Sequence, residues 1–213
     1  MSESAETGNP TAAAATWQRS GTQKLLLACG FGGILFIAAF VVLGILAPNY
    51  SSFHDAISTL EFTPLSLMQR ANFFAFGLVA CAFAAALRGE LTPGRGAVLI
   101  PVFQFTAGIG VIGDAIFIHD PLHLICDLIA FNSSLAVLFL FAWRFRFECE
   151  WKGWSTYSIL TGVVMMAFLT AFGLSNRFHG PAGLMEKLAS STRTCWSIVL
   201  TAKLLSGKRF DSR

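Results

Sequence analysis

"LLLACGFGGILFIAAFVVLGILA", residues 25–47, runs for 23 positions without a charged side chain. A helix rises about 1.5 Å per residue, so about 20 apolar residues cross the ~30 Å of hydrocarbon in a bilayer. Five further stretches follow: residues 71–87, 97–118, 122–143, 155–174 and, more polar than the rest, 188–205. All six fall in the tolerated range of about 17–25 residues. In lipid a backbone N–H or C=O finds no water, so each stretch must pair its own groups, as a helix does. The pattern predicts an all-α fold, a polytopic membrane bundle of six transmembrane helices over residues 24–205.

Composition agrees. The chain is 54% hydrophobic and 13% charged, with a mean hydropathy of +0.63, against about a quarter charged residues in a soluble domain. Residues 1–23 are small and polar and are expected to form a disordered cytoplasmic tail. Residues 206–213 are expected to be a basic cytoplasmic tail. The first apolar run exceeds the ~7–15 residues of a secretory signal, and Pro48 sits where cleavage would fall, so the run is expected to be retained.

Orientation follows from lysine and arginine. With the N-terminus in the cytoplasm, the inner segments hold Arg19, Lys24, Arg88, Arg95, Arg144, Arg146, Lys152, Lys203, Lys208, Arg209 and Arg213, eleven of the fifteen cations. Arg70, Arg177, Lys187 and Arg193 remain outside or near the outer ends. The positive-inside rule then places both termini in the cytoplasm, with a bacterial plasma (inner) membrane as the expected location. Trp143, Trp151, Trp154 and Tyr157 cluster around an inner loop as an interfacial belt would. The net charge of +3 follows from this arrangement and gives no reason to expect nucleic acid as a partner; the expected partner is the lipid bilayer.

The same topology puts all four histidines on the outer side: His54, His119, His123 and His179. Six acids join them: Asp55, Glu61, Asp114, Asp120, Asp127 and Glu186. The stretch "IFIHDPLHLICD", residues 116–127, reads as a tight outer hairpin, with Asp120 as an N-cap and Pro121 in the first helical position. His123 and Asp127 are then one turn apart on one face of the fourth span. Rise arithmetic puts Asp114, Asp127 and Arg193 at one depth, ~6–7.5 Å below the outer ends of three different spans. Charges at such depth pair with one another or face a wet cavity. An ion pair of Arg193 with Asp114 and Asp127, direct or through one water, is the expected arrangement.

Other patterns are less telling. "GIGVIG", residues 108–113, matches a dinucleotide fingerprint, but no strand precedes it, and its glycines suit close helix packing instead. The five cysteines are scattered and suggest inert thiols rather than a disulfide framework. Ser58 has His54 and Asp55 near it in sequence, which alone does not make a triad.

"HDAISTLEFTPLSLMQRANFFAFG", "GIGVIGDAIFIHDPLH" and "GPAGLMEKLASSTRTCW" together resemble a bacterial and archaeal membrane family known as domain of unknown function 998. The landmarks are Ser58 and Leu60, Asn72, Gly110 and Gly113 with the Asp120–Pro121 turn, His123, and Gly183–Leu184 with Glu186, covering about residues 25–205. The family usually has Glu after the serine; this chain has Thr59, with Glu61 two positions later. The resemblance implies six spans and no particular activity.

The candidate outer pocket therefore comprises His54, Asp55, Ser58, Glu61, Asn72, Asp114, His119, His123, Asp127, His179, Glu186 and Arg193. Two classes of function fit it. The favoured one is a non-enzymatic membrane protein that binds or moves a lipid head group, cation or small solute, with no cofactor. The alternative is a membrane-embedded metal-dependent hydrolase, in which His119, His123 and His179 hold zinc and an Asp serves as general base.

Overall fold

The computed structural model describes residues 19–91, 94–118, 120–207 and 210. Its regular structure is helical, with no strand among the described residues. The first pass is made of α1 (Gly21–Ala28) and α2 (Gly32–Leu46), joined through a 3₁₀ turn at Cys29–Phe31. Then come α3 (Ser66–Glu90), α4 (Leu99–Ile116), α5 (Leu122–Phe145), α6 (Trp154–Phe178) and α7 (Ala182–Leu205). Five passes, Gly21–Leu46 and α3 to α6, are long and apolar enough to cross a membrane.

The first helix starts at Gly21, inside the stretch expected as a tail. Ser20 accepts a hydrogen bond from the Gln23 amide at 3.1 Å, capping one of the free N–H groups of the first turn. Arg19 is tied down as well, paired with Glu90 at 2.6 Å and donating to the Leu204 carbonyl at 2.8 Å. Residues 1–18, most of the expected tail, and 208–209 and 211–213 of the basic one lie outside the described residues.

These contacts gather the start of α1 and the ends of α3 and α7 at one pole of the bundle, the terminal pole. Arg144, near the end of α5, joins them there. It is buried, but its guanidinium donates to the Leu91 and Arg95 carbonyls at 3.1 and 2.9 Å and pairs with Glu148 at 3.1 Å. Helix-end carbonyls have no intrahelical partner, so one cation here satisfies several orphan groups. The opposite pole carries the 47–65 loop, residues 117–118 and 120–121 between α4 and α5, and the 179–181 turn.

The surface is apolar where a soluble protein's would be polar. Leu35 and Ile45 are 75% and 76% exposed, and Leu67, Phe74, Leu124 and Leu160 also point outward. Gln69, Gln104, Asp114, Ser158, Arg193 and Thr201 are buried. A lipid surround explains that inversion, since tails solvate leucine and polar groups are kept away from them inside the bundle.

Close packing at the centre depends on glycine. A β-carbon on Gly108 would sit 2.9 Å from the Gly77 carbonyl oxygen, and one on Gly77 2.7 Å from that of Gly108. A β-carbon on Gly110 would lie 2.8 Å from backbone atoms of Cys126 and Ala130. The "GIGVIG" glycines thus let α4 lie backbone to backbone against α3 on one side and α5 on the other.

α7 is the most polar of the long helices, and it is the one that most needs protein neighbours. Glu186, Ala189, Arg193, Trp196, Leu200 and Leu204 recur every three or four positions and are all buried. The Trp196 indole donates to Ser158 of α6 at 3.1 Å. A helix covered in this way carries polar groups without exposing them to lipid.

Candidate functional site

Two apolar clusters fill the bundle, and the site lies between them. One, at the terminal pole, includes Phe83, Phe141, Met165 and Trp196; the other includes Phe36, Phe40, Ile57, Leu60 and Phe73. Between them is a cavity of about 90 Å³, room for several waters or a small polar head, since one water needs roughly 10–15 Å³ on the same measure. Its walls are unequal in character. Phe36, Phe73, Phe76, Phe83, Phe131 and Met165 supply apolar surface, whereas Gln104, Asp114, Asp127, Glu186, Ser190, Arg193 and Ser197 supply polar groups.

Asp114 comes from the last turn of α4. It is 3% exposed, and its Oδ1 has no hydrogen-bond partner. His123 and Asp127 come from the first turns of α5, with Nε2 and Oδ2 3.7 Å apart. Ligating atoms of Asp114, His123 and Asp127 all lie within 4.8 Å of one another. The hairpin aligns them: Asp120 Oδ1 accepts from the Leu122 amide at 2.8 Å and its carbonyl from the His123 amide at 2.9 Å. Pro121 has helical dihedrals, φ −52° and ψ −22°, just before α5 as assigned, and Asp120 accepts from the amide after it, the expected capping geometry.

Arg193 lines the same cavity but forms no direct ion pair with Asp114 or Asp127. Its Nη2 donates to Gln104 Oε1 at 2.6 Å and its Nη1 to Ser197, and its guanidinium lies 5.1 Å from the Trp196 ring centroid. Of the expected pairing, direct or through one water, the direct form is absent among the described residues, and a neutral amide acceptor from α4 takes the guanidinium instead. Gln104 was absent from the candidate residues because an uncharged polar side chain within an apolar run gives no signal of its partner.

The 51–62 segment closes the site from the far pole. The carbonyls of Phe53 and His54 accept from the Leu184 and Gly183 amides at 3.0 and 3.1 Å, satisfying free N–H groups in the first turn of α7. Glu186 Oε2 accepts from the Ile57 amide at 2.6 Å, and Lys187 Nζ donates to the Asp55 carbonyl at 2.8 Å. Gly183 is required for this approach: a β-carbon there would meet the Asp55 backbone, 2.6 Å from its carbonyl carbon. Asp55 itself accepts from the Ser51 amide at 2.7 Å.

Glu61 ends this segment buried, with neither carboxyl oxygen hydrogen-bonded. Burial pushes its pKa up from 4.5 to about 7, the nearby Asp127 adds to the rise, and Arg70 opposes it. Arg70 donates to the Ala115 carbonyl at 3.0 Å.

The remaining candidates scatter. Asn72 donates to the Phe36 carbonyl at 3.3 Å, bracing α2 against α3. Ser58 opens the 3₁₀ turn Ser58–Phe62 and is half-buried. His54 is exposed, its Nδ1 3.3 Å from the Gly180 carbonyl. His179 ends α6 in the left-handed conformation, φ 56°, and is exposed. His119 lies outside the described residues. Among the described residues Asp114, His123 and Asp127 form the one cluster of three metal-ligating side chains, and His179 is not in it.

A helical bundle with five apolar passes, charged groups inside and leucine outside defines an integral membrane protein. Within that class, the sequence profile described as "Protein of unknown function (DUF998)" matches residues 31–203, and the chain belongs to this family. No curated protein and no solved structure matches it.

Proposed function

We propose that this chain is a six-span protein of a bacterial plasma membrane, with both termini cytoplasmic, that binds an amphiphilic small molecule or lipid in its central cavity from the outer side. α7 is the sixth crossing, its polar residues turned toward the other helices. The siding rests on charge. Arg19, Lys24, Arg88, Arg95, Arg144, Arg146, Lys152 and Lys203 belong to the terminal pole, as the positive-inside rule requires of a cytoplasmic face.

One observation carries the binding reading: the cavity is amphipathic. Ligand sites are mostly apolar with a few convergent polar groups that orient the occupant, and here phenylalanine rings share the lining with Gln104, Arg193, Ser190, Ser197 and Glu186. The tail of an amphiphile packs on the rings, and its head takes hydrogen bonds from the polar groups.

Native mass spectrometry of the full chain released from lipid nanodiscs tests this. The wild type is expected to retain one amphiphile per chain. Ala107→Trp from α4 and Ser134→Phe from α5, both at cavity-lining positions, are expected to release it. Equal retention by folded variants, or no retained amphiphile in the wild type, rejects the reading.

A further inference from the structure

We propose that Asp114, His123 and Asp127 form a site for one divalent transition-metal ion beside the cavity that the two aspartates line. The three side chains come from two helices that a glycine contact locks together, and their ligating atoms lie within 4.8 Å of one another. Around zinc, with bonds of ~2.0–2.2 Å, ligand atoms stand roughly 3.4 Å apart in a tetrahedron. Small side-chain rotations close the difference.

Unsatisfied groups point to an occupant. Asp114 is 3% exposed, lines the cavity, and leaves Oδ1 without a partner. His123 Nδ1 is likewise buried and unpartnered. Such atoms are costly to bury unless something binds them. The nearby protein cation does not serve, because Arg193 turns Nη1 and Nη2 to Ser197 and Gln104. Asp114 and Asp127 face one another and share a side-chain hydrogen bond; a bound cation relieves their repulsion as a shared proton does, and it also engages His123.

The donors select its kind. One imidazole and two carboxylates suit zinc, manganese, cobalt or iron(II), whereas magnesium prefers oxygen ligands alone and several waters. Three protein ligands leave a coordination position open toward the cavity. Resting on the amphiphile reading above, a head group reaching both this ion and Arg193 is anionic, a phosphate or a carboxylate.

Full-length protein in detergent, stripped with chelator, is titrated with ZnCl2, MnCl2 and MgCl2 by calorimetry, and separately with CoCl2 by visible absorption. The wild type is expected to bind one zinc or manganese per chain, to prefer both over magnesium, and to show cobalt ligand-field bands that saturate at one equivalent. Asp114→Asn and His123→Gln are expected to weaken binding more than about tenfold and to lose the melting-temperature rise that zinc gives the wild type. Absent cobalt bands in the wild type, or affinities unchanged in both variants, overturn the proposal, leaving a carboxyl pair that shares a proton. The mass-spectrometric assay is read separately. Amphiphile retained by metal-free protein that binds no added zinc refutes only the metal, whereas metal bound without amphiphile refutes only the earlier reading.

Discussion

Glu61 shows how much a single residue can report about this site. It ends the segment that closes the cavity, faces Arg70 from α3 and Asp127 from α5, and has no hydrogen bond to either carboxyl oxygen. Its pKa in the folded chain rises to about 7, so the fold holds the neutral acid more readily than the anion. The stability Glu61 contributes is complete below the ordinary value of 4.5 and is lost as pH rises through about 7. The melting temperature of the detergent-solubilised protein is therefore expected to fall between pH 5 and pH 8, and Glu61→Gln to flatten that fall. A wild-type profile that rises over this interval, or a Gln variant as steep as the wild type, contradicts the assignment. Residue chemistry of this sort was partly legible in the sequence. Helical rise from the apolar boundaries put Asp114, Asp127 and Arg193 at one depth, and all three line one cavity. α7 begins at Ala182, however, which sets Arg193 about 16 Å into its helix and deeper than the other two. Their partners were not legible, because Gln104 meets Arg193 only through the packing of α4 near α7.

At the scale of elements, hydropathy located the five passes that are long and apolar enough to cross a membrane, and their ends less well. α3 extends over Ser66–Glu90 and α6 over Trp154–Phe178, each beyond its apolar stretch, because helix ends continue into polar residues at both poles. α7 gave the faintest signal for a physical reason. Its buried stripe faces other helices, so its polarity measures protein contact rather than exposure to water. The docking of the 51–62 segment was invisible too, because it depends on backbone carbonyls and on the missing side chain of Gly183, neither of which has a pattern in sequence. The glycines of α4 were legible as packing residues, and they carry a prediction. Gly108→Ala sets a methyl 2.6 Å from Cys81 Sγ and 2.9 Å from the Gly77 carbonyl, and backbone cannot yield as a side-chain tip does. It is expected to destabilise the bundle by about 1–3 kcal/mol as overpacking does. Gly173→Ala, where nothing lies within 4 Å, is expected to be neutral. Equal melting temperatures for the two variants would show that α3 and α4 do not approach as described.

The whole molecule is an inversion of a soluble fold, with leucine outside and carboxylates inside, and its proposed working surface is at one pole. His54, His123, His179 and the closing segment all belong to the half away from the termini. The outward access proposed for the cavity depends on that half facing outward and on α7 completing a sixth crossing. Labelling with a membrane-impermeant maleimide on intact cells tests both points together. In a chain whose native cysteines other than Cys149 are replaced, Cys149, exposed in the loop between α5 and α6, is expected to react only after permeabilisation. With Cys149 replaced too, a cysteine at His179, before α7, is expected to react on intact cells, and one at Ser206, after it, only once the cells are opened. Reaction of Ser206→Cys and His179→Cys from the same side would show that α7 does not cross, and outside labelling of Cys149 would reverse the siding on which the account rests.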